Sequence, residues 1–396
     1  MARLPPELIS LIFDFIEHDK DWTTLKNCSL ISHGNHAQIL PRLLRVVTLH
    51  LRSHPNPITI RDVVRRIEGL CELFQRRPEA SGYVKTFELL DSYPVYNSQW
   101  ITQQKSLPRL LDLLHNTRQV TFGCEVGFLQ WSLFTPDLQN SLLSLFLSPM
   151  LKTLSLANMG SLPISALNTC VHFLFLNNIL TSRPDPYLPT GMWLEDPSAH
   201  PNAELCYLNV RTVSKANTNA TWGVMLTHAD KIKFIKWRCW EDTQTVDGVS
   251  FPGQLDFGRL TALRKFSIRM SYGKFGRDLL GFVQALECIT RPSSMIFLSI
   301  SILFPLHPDP HSSRELQTHA FWTRLADVMS QPEYCSIRKL SMELTVHERA
   351  RVVQGTRINS VTEFRNQMMQ TLRSLLNMTS LHFKFKVKGF HLGAHE

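Results

Sequence analysis

Long apolar runs that could cross a membrane are missing from the sequence. The longest nearly apolar stretches, such as residues 295–304, have about half of the roughly 20 residues that a helix needs to span a bilayer. No leading segment combines a charged start, an apolar middle and a small-residue cleavage site, as a signal peptide does. We therefore expect a soluble intracellular protein, in the cytoplasm or the nucleus, with no membrane partner.

Paired cysteines are also missing, because no two cysteines form a Cys-x-x-Cys motif. The eight cysteines stand singly at Cys28, Cys71, Cys124, Cys170, Cys206, Cys239, Cys288 and Cys335. This spacing argues against a zinc ribbon and against a thioredoxin-type redox site. Scattered cysteines in an intracellular chain usually act as small buried hydrophobes, so we expect no metal site and no cofactor.

The sequence also lacks the common motifs of catalysis. It has no Gly-x-Ser-x-Gly elbow, no P-loop, no His-Glu-x-x-His and no paired metal-binding carboxylates. We therefore predict a binding protein without catalytic residues. An enzyme whose site is assembled from distant residues stays open as an alternative.

Positive charge is in excess. The 42 lysines and arginines outnumber the 33 acidic residues and give a formal net charge of +9. Such an excess favours acidic partners in general. Because no nucleic-acid-binding motif accompanies the charge, we do not predict a nucleic acid as the partner.

The first seventeen residues are typical of a short amphipathic helix. Pro5 and Pro6 stand where the first turn begins, and a proline there loses no backbone hydrogen bond. Glu7 follows, where the helix dipole favours a negative charge. The predicted apolar face consists of Leu8, Ile9, Ile12, Phe13 and Ile16.

Two further short helical patterns follow, one from about Thr23 to Ile31 and one around Ile39 and Leu43. Three short helices bury little core by themselves. We therefore expect them to leave apolar surface that needs a partner, either inside the chain or outside it.

This segment resembles the F-box, in the form common in fungal proteins, over about the first 50 residues. The matching stretches are Leu4-Pro5-Pro6-Glu7-Leu8-Ile9, Lys26-Asn27-Cys28-Ser29-Leu30-Ile31-Ser32 and Arg42-Leu43-Leu44-Arg45-Val46-Val47-Thr48-Leu49. The family usually has a Trp about three residues after Ser32, where this chain has His33-Gly34-Asn35-His36, so we expect weaker packing of the third helix. The resemblance implies docking on a Skp-family adaptor, and through it on a cullin, by Leu4, Pro5, Leu8, Ile9, Ile12, Leu25 and Ile31. An ordinary helical cap on a larger core is the alternative.

A degenerate pattern, apolar-x-x-apolar-x-apolar, recurs along the rest of the chain. Its clearest copies are residues 151–156, followed by Asn158, and residues 171–176, followed by Asn178. Further copies begin at Val46, Val84, Leu205, Ile232, Leu263, Met295, Ile337 and Met378, with a weaker one around Val120. The alternation within each copy predicts a strand. Helical patterns fill the gaps, notably at 61–77, 107–115, 137–147, 277–289, 320–329 and 361–376.

Strand–helix units repeated about ten times can bury their faces by stacking. The pattern resembles the leucine-rich repeat. The predicted fold class is therefore α/β, an irregular leucine-rich-repeat-like solenoid of parallel strands with outer helices, preceded by a small α-helical F-box. A doubly wound sheet is ranked lower because no Gly-rich phosphate loop follows any strand. The predicted domains are residues 1–45 and 46–396, with a Pro-rich insertion at 181–201.

The alternation also divides each strand into two faces. The fourth and sixth positions of a copy share the buried face, and the third, fifth and seventh point away from it. Residues predicted to be buried are Leu154, Leu156, Leu174, Leu176, Leu208, Ile235, Phe266, Ile268, Leu340 and Met342.

The outward positions of three successive copies are aromatic and basic, a combination typical of binding hot spots. We predict that the target-binding residues are Tyr207, Arg211, Phe234, Lys236, Arg238, Lys265 and Arg269. Arginines suit bidentate contacts with carboxylate or phosphate groups, so the expected ligand is an acidic or phosphorylated protein segment. The alternatives are a surface covered by the Pro-rich insertion and a merely solvated face.

Together these patterns favour the substrate-recognition subunit of a Skp-cullin-F-box ubiquitin ligase, with the target held on the repeats. The departure at His33-Gly34-Asn35-His36 motivates a second hypothesis, an F-box-like leucine-rich-repeat scaffold that does not join a ligase. The distant-residue enzyme is the third.

Overall fold

The computed structural model of the chain is a mixed α/β fold. It describes residues 5–51, 59–91, 99–125, 127–167, 171–181, 205–212, 215–239, 256–271, 277–289, 292–306, 320–348, 366, 368–377 and 381–391. Within these ranges, twelve parallel strands alternate with helices. The described residues fall into two compact units, of which the first ends at Val171 and the second begins at His172. None of the described helices is both long and apolar enough to cross a bilayer.

The first unit begins with three short helices. They are α1 (Pro6–His18), α2 (Trp22–Ser29) and α3 (His33–Leu44). Side-chain hydrogen bonds cap the N-termini of α2 and α3. The Asp21 side chain accepts a hydrogen bond from the backbone N–H of Thr24 at 3.0 Å, and the Ser32 hydroxyl accepts one from that of Asn35 at 3.1 Å. Each such cap satisfies a backbone donor that the helix leaves without a partner.

The three helices share a small core with one residue from each. Phe13, Leu25 and Ile39 are at most 3% exposed. The partly buried residues that surround them are Ile9, Ile16, Cys28 and Leu43. Helix α3 begins directly after its Ser32 cap and buries Ile39 completely. The weaker packing expected for this helix stays a prediction.

Strands and helices alternate through the rest of the first unit. The strands are β1 (Val46–Leu51), β2 (Thr86–Asp91), β3 (Gln119–Cys124), β4 (Leu129–Gln130) and β5 (Thr153–Leu162). The helices are α4 (Ile60–Arg76), α5 (Pro78–Ser81), α6 (Gln99–Gln103), α7 (Ser106–Asp112) and α8 (Pro136–Phe146), with 3-10 turns at Trp131–Leu133 and Ile164–Leu167. Strands β1, β2, β3 and β5 lie side by side in sequence order, and the short β4 pairs with the far half of β5.

The second unit repeats this arrangement. Its strands are β6 (Phe173–Thr181), β7 (Tyr207–Thr212), β8 (Phe234–Cys239), β9 (Lys265–Ser271), β10 (Phe297–Leu306), β11 (Lys339–Glu348) and β12 (His382–His391). The helices are α9 (Lys215–Thr227), α10 (Arg277–Glu287), α11 (Ala320–Met329) and α12 (Arg373–Leu376), with 3-10 turns at Phe257–Arg259 and Pro332–Tyr334. All six strand pairs are parallel and follow sequence order. Apart from Thr181, the predicted Pro-rich insertion lies outside the described residues.

The predicted division of each strand into two faces is confirmed. All ten residues predicted to be buried are at most 3% exposed. The alternate positions are exposed or half-buried, as the burial of β7 and β8 illustrates. The buried faces contact helices, among them α9 against β6 and β7, and α10 against β9. Neighbouring parallel strands, without hairpins between them in the described ranges, are what stacked strand–helix units require.

The structure explains why an asparagine follows each of the two clearest repeat copies. Asn158 has a φ of 51° and Asn178 a φ of 56°, and asparagine tolerates this left-handed region better than most residues. The Asn158 side-chain amide also donates to the backbone carbonyls of Cys124, at 2.7 Å, and Glu125, at 3.2 Å. This side chain therefore links β5 to the last residue of β3 and to the residue after it.

Candidate functional site

Helix α1 has two apolar faces. Ile9, Phe13 and Ile16 turn inward to the three-helix core. A second set, spaced as i, i+3, i+4 and i+7, forms the opposite stripe, which we call the outer face of α1. Its members are Leu8, Leu11, Ile12 and Phe15, exposed by 47%, 49%, 46% and 64%. Helical spacing puts these four side chains together along the helix, so they form one apolar strip on the surface.

Exposed apolar residues are concentrated in the first two helices and the turn that follows them. The turn after α2 adds Leu30, exposed by 81%, and Ile31, exposed by 73%, and the start of α2 adds Trp22. Seven of the fourteen large exposed hydrophobic residues in the described ranges therefore lie between Leu8 and Ile31. Single exposed hydrophobic residues are ordinary, but such a concentration is typical of an interaction surface.

Charged and polar contacts from Arg42 of α3, which we call the Arg42 clamp, hold α1 against α3. The Arg42 guanidinium contacts the Asp14 carboxylate at 2.5 Å and the Glu17 carboxylate at 3.5 Å. It also donates to the Ser10 hydroxyl at 3.1 Å and lies 5.9 Å from the ring centre of Phe13. Because these contacts come from the flank of α1, they fix the orientation of the helix while leaving its outer face uncovered.

The structure separates the predicted adaptor-binding residues into three groups. Pro5, Leu8, Ile12 and Ile31 are exposed. Ile9 is half-buried against the core, and Leu25 is 0% exposed, so Leu25 supports the surface from below and presents no atoms to a partner. Leu4 lies outside the described residues. Leu11, Phe15 and Leu30 are exposed but were not predicted as adaptor-binding residues. The spacing of Leu11 and Phe15 from Leu8 is the signal that identifies them.

The second candidate surface is the outward face of strands β6 to β9 in the second unit. Strand pairing aligns equivalent outward positions in rows that run across the strands. The aromatic row consists of Phe173, Tyr207, Phe234, Lys265 and Phe297. The middle row consists of Phe175, Asn209, Lys236 and Ser267. The arginine row consists of Asn177, Arg211, Arg238 and Arg269.

The rings of the aromatic row are close together and partly open. The ring centre of Tyr207 lies 6.0 Å from that of Phe173 and 5.7 Å from that of Phe175. Phe173 and Phe234 remain 42% and 41% exposed. Beyond them, the Lys265 ammonium lies 4.9 Å from the ring centre of Phe297, a distance suited to a cation–π contact. This row therefore offers apolar surface with a positive charge beside it.

The arginine row places like charges side by side. Arg211 pairs with Arg238, and Arg238 with Arg269, at directly opposed positions on adjacent strands. Opposed like charges destabilise a sheet. In the described part of the chain, neither Arg238 nor Arg269 forms an ion pair with a carboxylate. Burial lowers the pKa of Lys236, and the neighbouring positive charges of Arg238, Arg269 and Lys265 lower it further.

All seven residues predicted to bind a target lie on this one face. Arg211, Phe234, Arg238, Lys265 and Arg269 are exposed, and Tyr207 and Lys236 are half-buried. Their role in binding stays a prediction. Phe173 and Phe175 occupy the third and fifth positions of the copy at 171–176, and they extend the same surface to β6.

Neither a protein-family model nor a curated protein matches the chain. Among the described residues, no three His, Cys, Asp or Glu side chains come together as a metal site would require. Two surfaces of the described residues have the character of binding sites: the outer face of α1, and the aromatic and arginine rows.

Proposed function

We propose that this protein is the substrate-recognition subunit of a Skp-cullin-F-box ubiquitin ligase. The observation that carries the proposal is the outer face of α1, an exposed apolar strip on a three-helix domain whose sequence resembles the F-box. In this role the helices bind a Skp-family adaptor, and the adaptor connects the chain to a cullin. The strands and helices that follow act as leucine-rich-repeat-like units that hold a protein target.

Energetics support an apolar partner for the strip. Each exposed residue of the outer face loses apolar area from water when a partner covers it, which stabilises the complex by about 25 cal/mol per Å². The Arg42 clamp orders α1 before binding, so little conformational entropy remains to be lost there. A small domain with such a strip is better suited to a permanent partner than to isolation.

The chain itself catalyses no bond formation in this proposal. It binds the target with one unit and the ligase with the other, which raises the concentration of the target near the ubiquitin-charged enzyme. A scaffold that binds a target but no cullin is the competing function, and the same experiment separates the two.

Co-purification with the adaptor tests the proposal. Replacing Leu8 and Ile12 by Asp places two charges in the contact, and burying an unpaired charge costs several kcal/mol, so we expect loss of adaptor and cullin together. Both residues are about half exposed, so the fold is expected to tolerate the change. Ile9 is unsuitable for this purpose because it packs on the three-helix core.

The matched control is Leu133→Asp with Met150→Asp. Leu133 and Met150 are 64% and 43% exposed and lie in the same unit but outside the three helices. This variant is expected to retain the adaptor. If the Leu8 and Ile12 variant retains the adaptor, the proposal is rejected. Retention of the adaptor by the unsubstituted chain without any cullin would favour the scaffold.

A further inference from the structure

The aromatic row carries a phenylalanine on every second strand. Phe173 lies on β6, Phe234 on β8 and Phe297 on β10, and strand pairing puts all three at equivalent positions. Adjacent strands are about 4.8 Å apart, so successive phenylalanines of the row lie roughly 9.6 Å from each other across the strands. The row therefore presents apolar side chains at one repeat distance.

This repeat distance matches one turn of a polyproline II helix. Such a helix has three residues per turn and rises about 3.1 Å per residue, so every third residue returns to the same side after about 9.3 Å. A ligand in this conformation that lies across the strands would bring its residues i and i+3 onto Phe173 and Phe234. An extended strand, whose same-side residues are about 6.6 Å apart, would not stay in phase with the row.

The first half of the row has the chemistry that proline-rich segments bind. Phe173 and Phe234 are 42% and 41% exposed. Tyr207 lies between them on β7, with its ring centre 6.0 Å from that of Phe173. A polyproline II helix has no internal hydrogen bonds, so its backbone carbonyls can accept one from the Tyr207 hydroxyl. Open aromatic rings with a donor among them are the usual composition of a groove for such a helix.

The far end of the row is positively charged. The ammonium groups of Lys265 and Lys339 lie 4.9 Å and 5.3 Å from the ring centre of Phe297, and both lysines are exposed. Within the described ranges, neither lysine forms an ion pair with a carboxylate. Residue i+6 of the same ligand would lie about 18.6 Å from residue i, which is the position of Phe297 in the row. An Asp or Glu at this position would lie close to both ammonium groups.

We infer that the aromatic row binds a polyproline II segment of a partner protein with two prolines three residues apart and an acidic residue three positions farther on. The prolines pack on Phe173 and Phe234. The carboxylate pairs with Lys265 and Lys339. The inference rests on the proposed function, in which these strands hold the target, and deepens it by naming the class of target.

Labelled peptides titrated into the full-length chain test this inference by fluorescence anisotropy. The probe is Pro-x-x-Pro-x-x-Asp with alanine or glutamine at each x, made in both chain directions because the helix has the same spacing in either. We expect at least one direction to bind about tenfold more tightly than its form with both prolines replaced by alanine, which loses apolar contact and preorganisation together. Prolines two residues apart are expected to bind as weakly as the alanine form, because the second proline then points away from the row.

One double variant of the chain identifies the rings. Phe173→Ala with Phe234→Ala is expected to reduce the affinity for the probe about tenfold. The matched control is Phe128→Ala with Met150→Ala, which truncates side chains of similar exposure, 37% and 43%, in the first unit. Because these two residues are remote from the row, the control is expected to change the affinity less than about twofold. Thermal unfolding of both variants checks that the fold is retained.

A second double variant identifies the charged end. At low salt, the unsubstituted chain is expected to bind the probe about fivefold more tightly than the same peptide with Asn in place of Asp. Lys265→Met with Lys339→Met keeps apolar stems but removes the charges, so this preference for Asp should disappear. Arg264→Met with Arg338→Met removes the same charge from exposed arginines just before β9 and β11 and is expected to keep the preference.

Either of two results would overturn the inference. One is equal affinity for the proline probe and its alanine form in both chain directions. The other is tighter binding of a single-stranded oligonucleotide than of the probe, lost in the Phe173 and Phe234 variant, which would assign the row to stacked bases.

Adaptor co-purification, which depends on α1, is measured on the same variants. An intact adaptor complex without a preference for the proline probe would reject this inference alone. A retained preference without any adaptor would reject the ligase role alone and leave the site on the aromatic row standing.

Discussion

At the scale of single residues, backbone geometry places a strict demand on Gly123. Its φ is +150°, a conformation that side-chain-bearing residues rarely adopt, and a Cβ there would lie 2.0 Å from the backbone oxygen of Ala157. Neither backbone can move away without breaking the pairing of β3 with β5. This position thus tolerates only glycine, because two strands approach closely.

We expect Gly123→Ala to lower the free energy of unfolding of the first unit by about 2–4 kcal/mol, through strain and the close contact. Denaturant unfolding measures the change. The control is Gly69→Ala on α4, where a Cβ meets nothing within 4 Å. That change is expected to stabilise the helix by about 0.5–1 kcal/mol. Equal effects of the two substitutions would contradict the described approach of β3 to β5.

A buried thiol predicts how stability depends on pH. Burial raises the pKa of Cys124 to about 11 from its ordinary value of 9.0, and the nearby Asp91 carboxylate adds to the rise. The thiol therefore keeps its proton in the folded chain at pH values where the unfolded chain loses it. Its contribution to stability is fully present below pH 9 and is lost as the pH rises to about 11.

Unfolding at a series of pH values, with Cys124→Ala as the comparison, measures this contribution. Between pH 9 and about pH 11 we expect the unsubstituted chain to lose on the order of 2 kcal/mol more stability than the variant. Parallel curves for the two proteins would mean that the thiol titrates normally in the folded state.

At the scale of elements, α2 illustrates how adjacent parts of one motif divide their roles. Leu25 is 0% exposed in the three-helix core, whereas Leu30, directly after the helix, is 81% exposed. The two leucines therefore offer a matched pair for separating the stability of the helices from binding to a partner.

We expect Leu25→Ala to destabilise the three helices by about 2–4 kcal/mol, because the substitution leaves a cavity in a core with few other residues. Leu30→Ala is expected to change their stability by less than about 0.5 kcal/mol. Hydrogen exchange of the α1–α3 backbone amides in the full-length chain measures both effects. Comparable loss of protection in the two variants would refute the division of roles.

The sequence pattern was sufficient to predict elements whose apolar residues have a regular period. Predicted helix 320–329 coincides with α11, and predicted helix 61–77 differs from α4 by one residue at each end. Helix α9 was missed because its polar and β-branched residues show no clear apolar face. The very short strand β4 was also missed, since two residues carry no periodicity.

The two candidate surfaces differed in how far the sequence could predict them. The outward residues of β7, β8 and β9 were predicted correctly as outward, because alternation in a strand fixes the face of every residue. Helix α1 is apolar on two sides, whereas a single apolar face was predicted, so the core residue Ile9 was assigned to the surface together with Leu8 and Ile12. Leu25 of α2 was assigned to the surface from the resemblance alone and is buried. Only the packing of α1 on α2 and α3 distinguishes the core side from the outer side.

At the scale of the whole molecule, each unit carries one candidate surface of a different chemical character. The first unit presents an apolar strip on α1, and the second presents aromatic and positively charged rows. Salt does not screen apolar contacts, whereas open charged contacts weaken as the salt concentration increases. The two proposed interactions can therefore be distinguished by their salt dependence: we expect the adaptor to stay bound at high salt while the target segment binds more weakly.

Calorimetric titration of the full-length chain with a purified Skp-family adaptor, repeated at several temperatures, tests the central claim most directly. We expect equimolar binding with a negative heat-capacity change, the mark of apolar surface removed from water. Leu8→Asp with Ile12→Asp is expected to abolish the signal, and Leu133→Asp with Met150→Asp to preserve it. No binding by the unsubstituted chain, or unchanged binding by the Leu8 and Ile12 variant, would contradict the account.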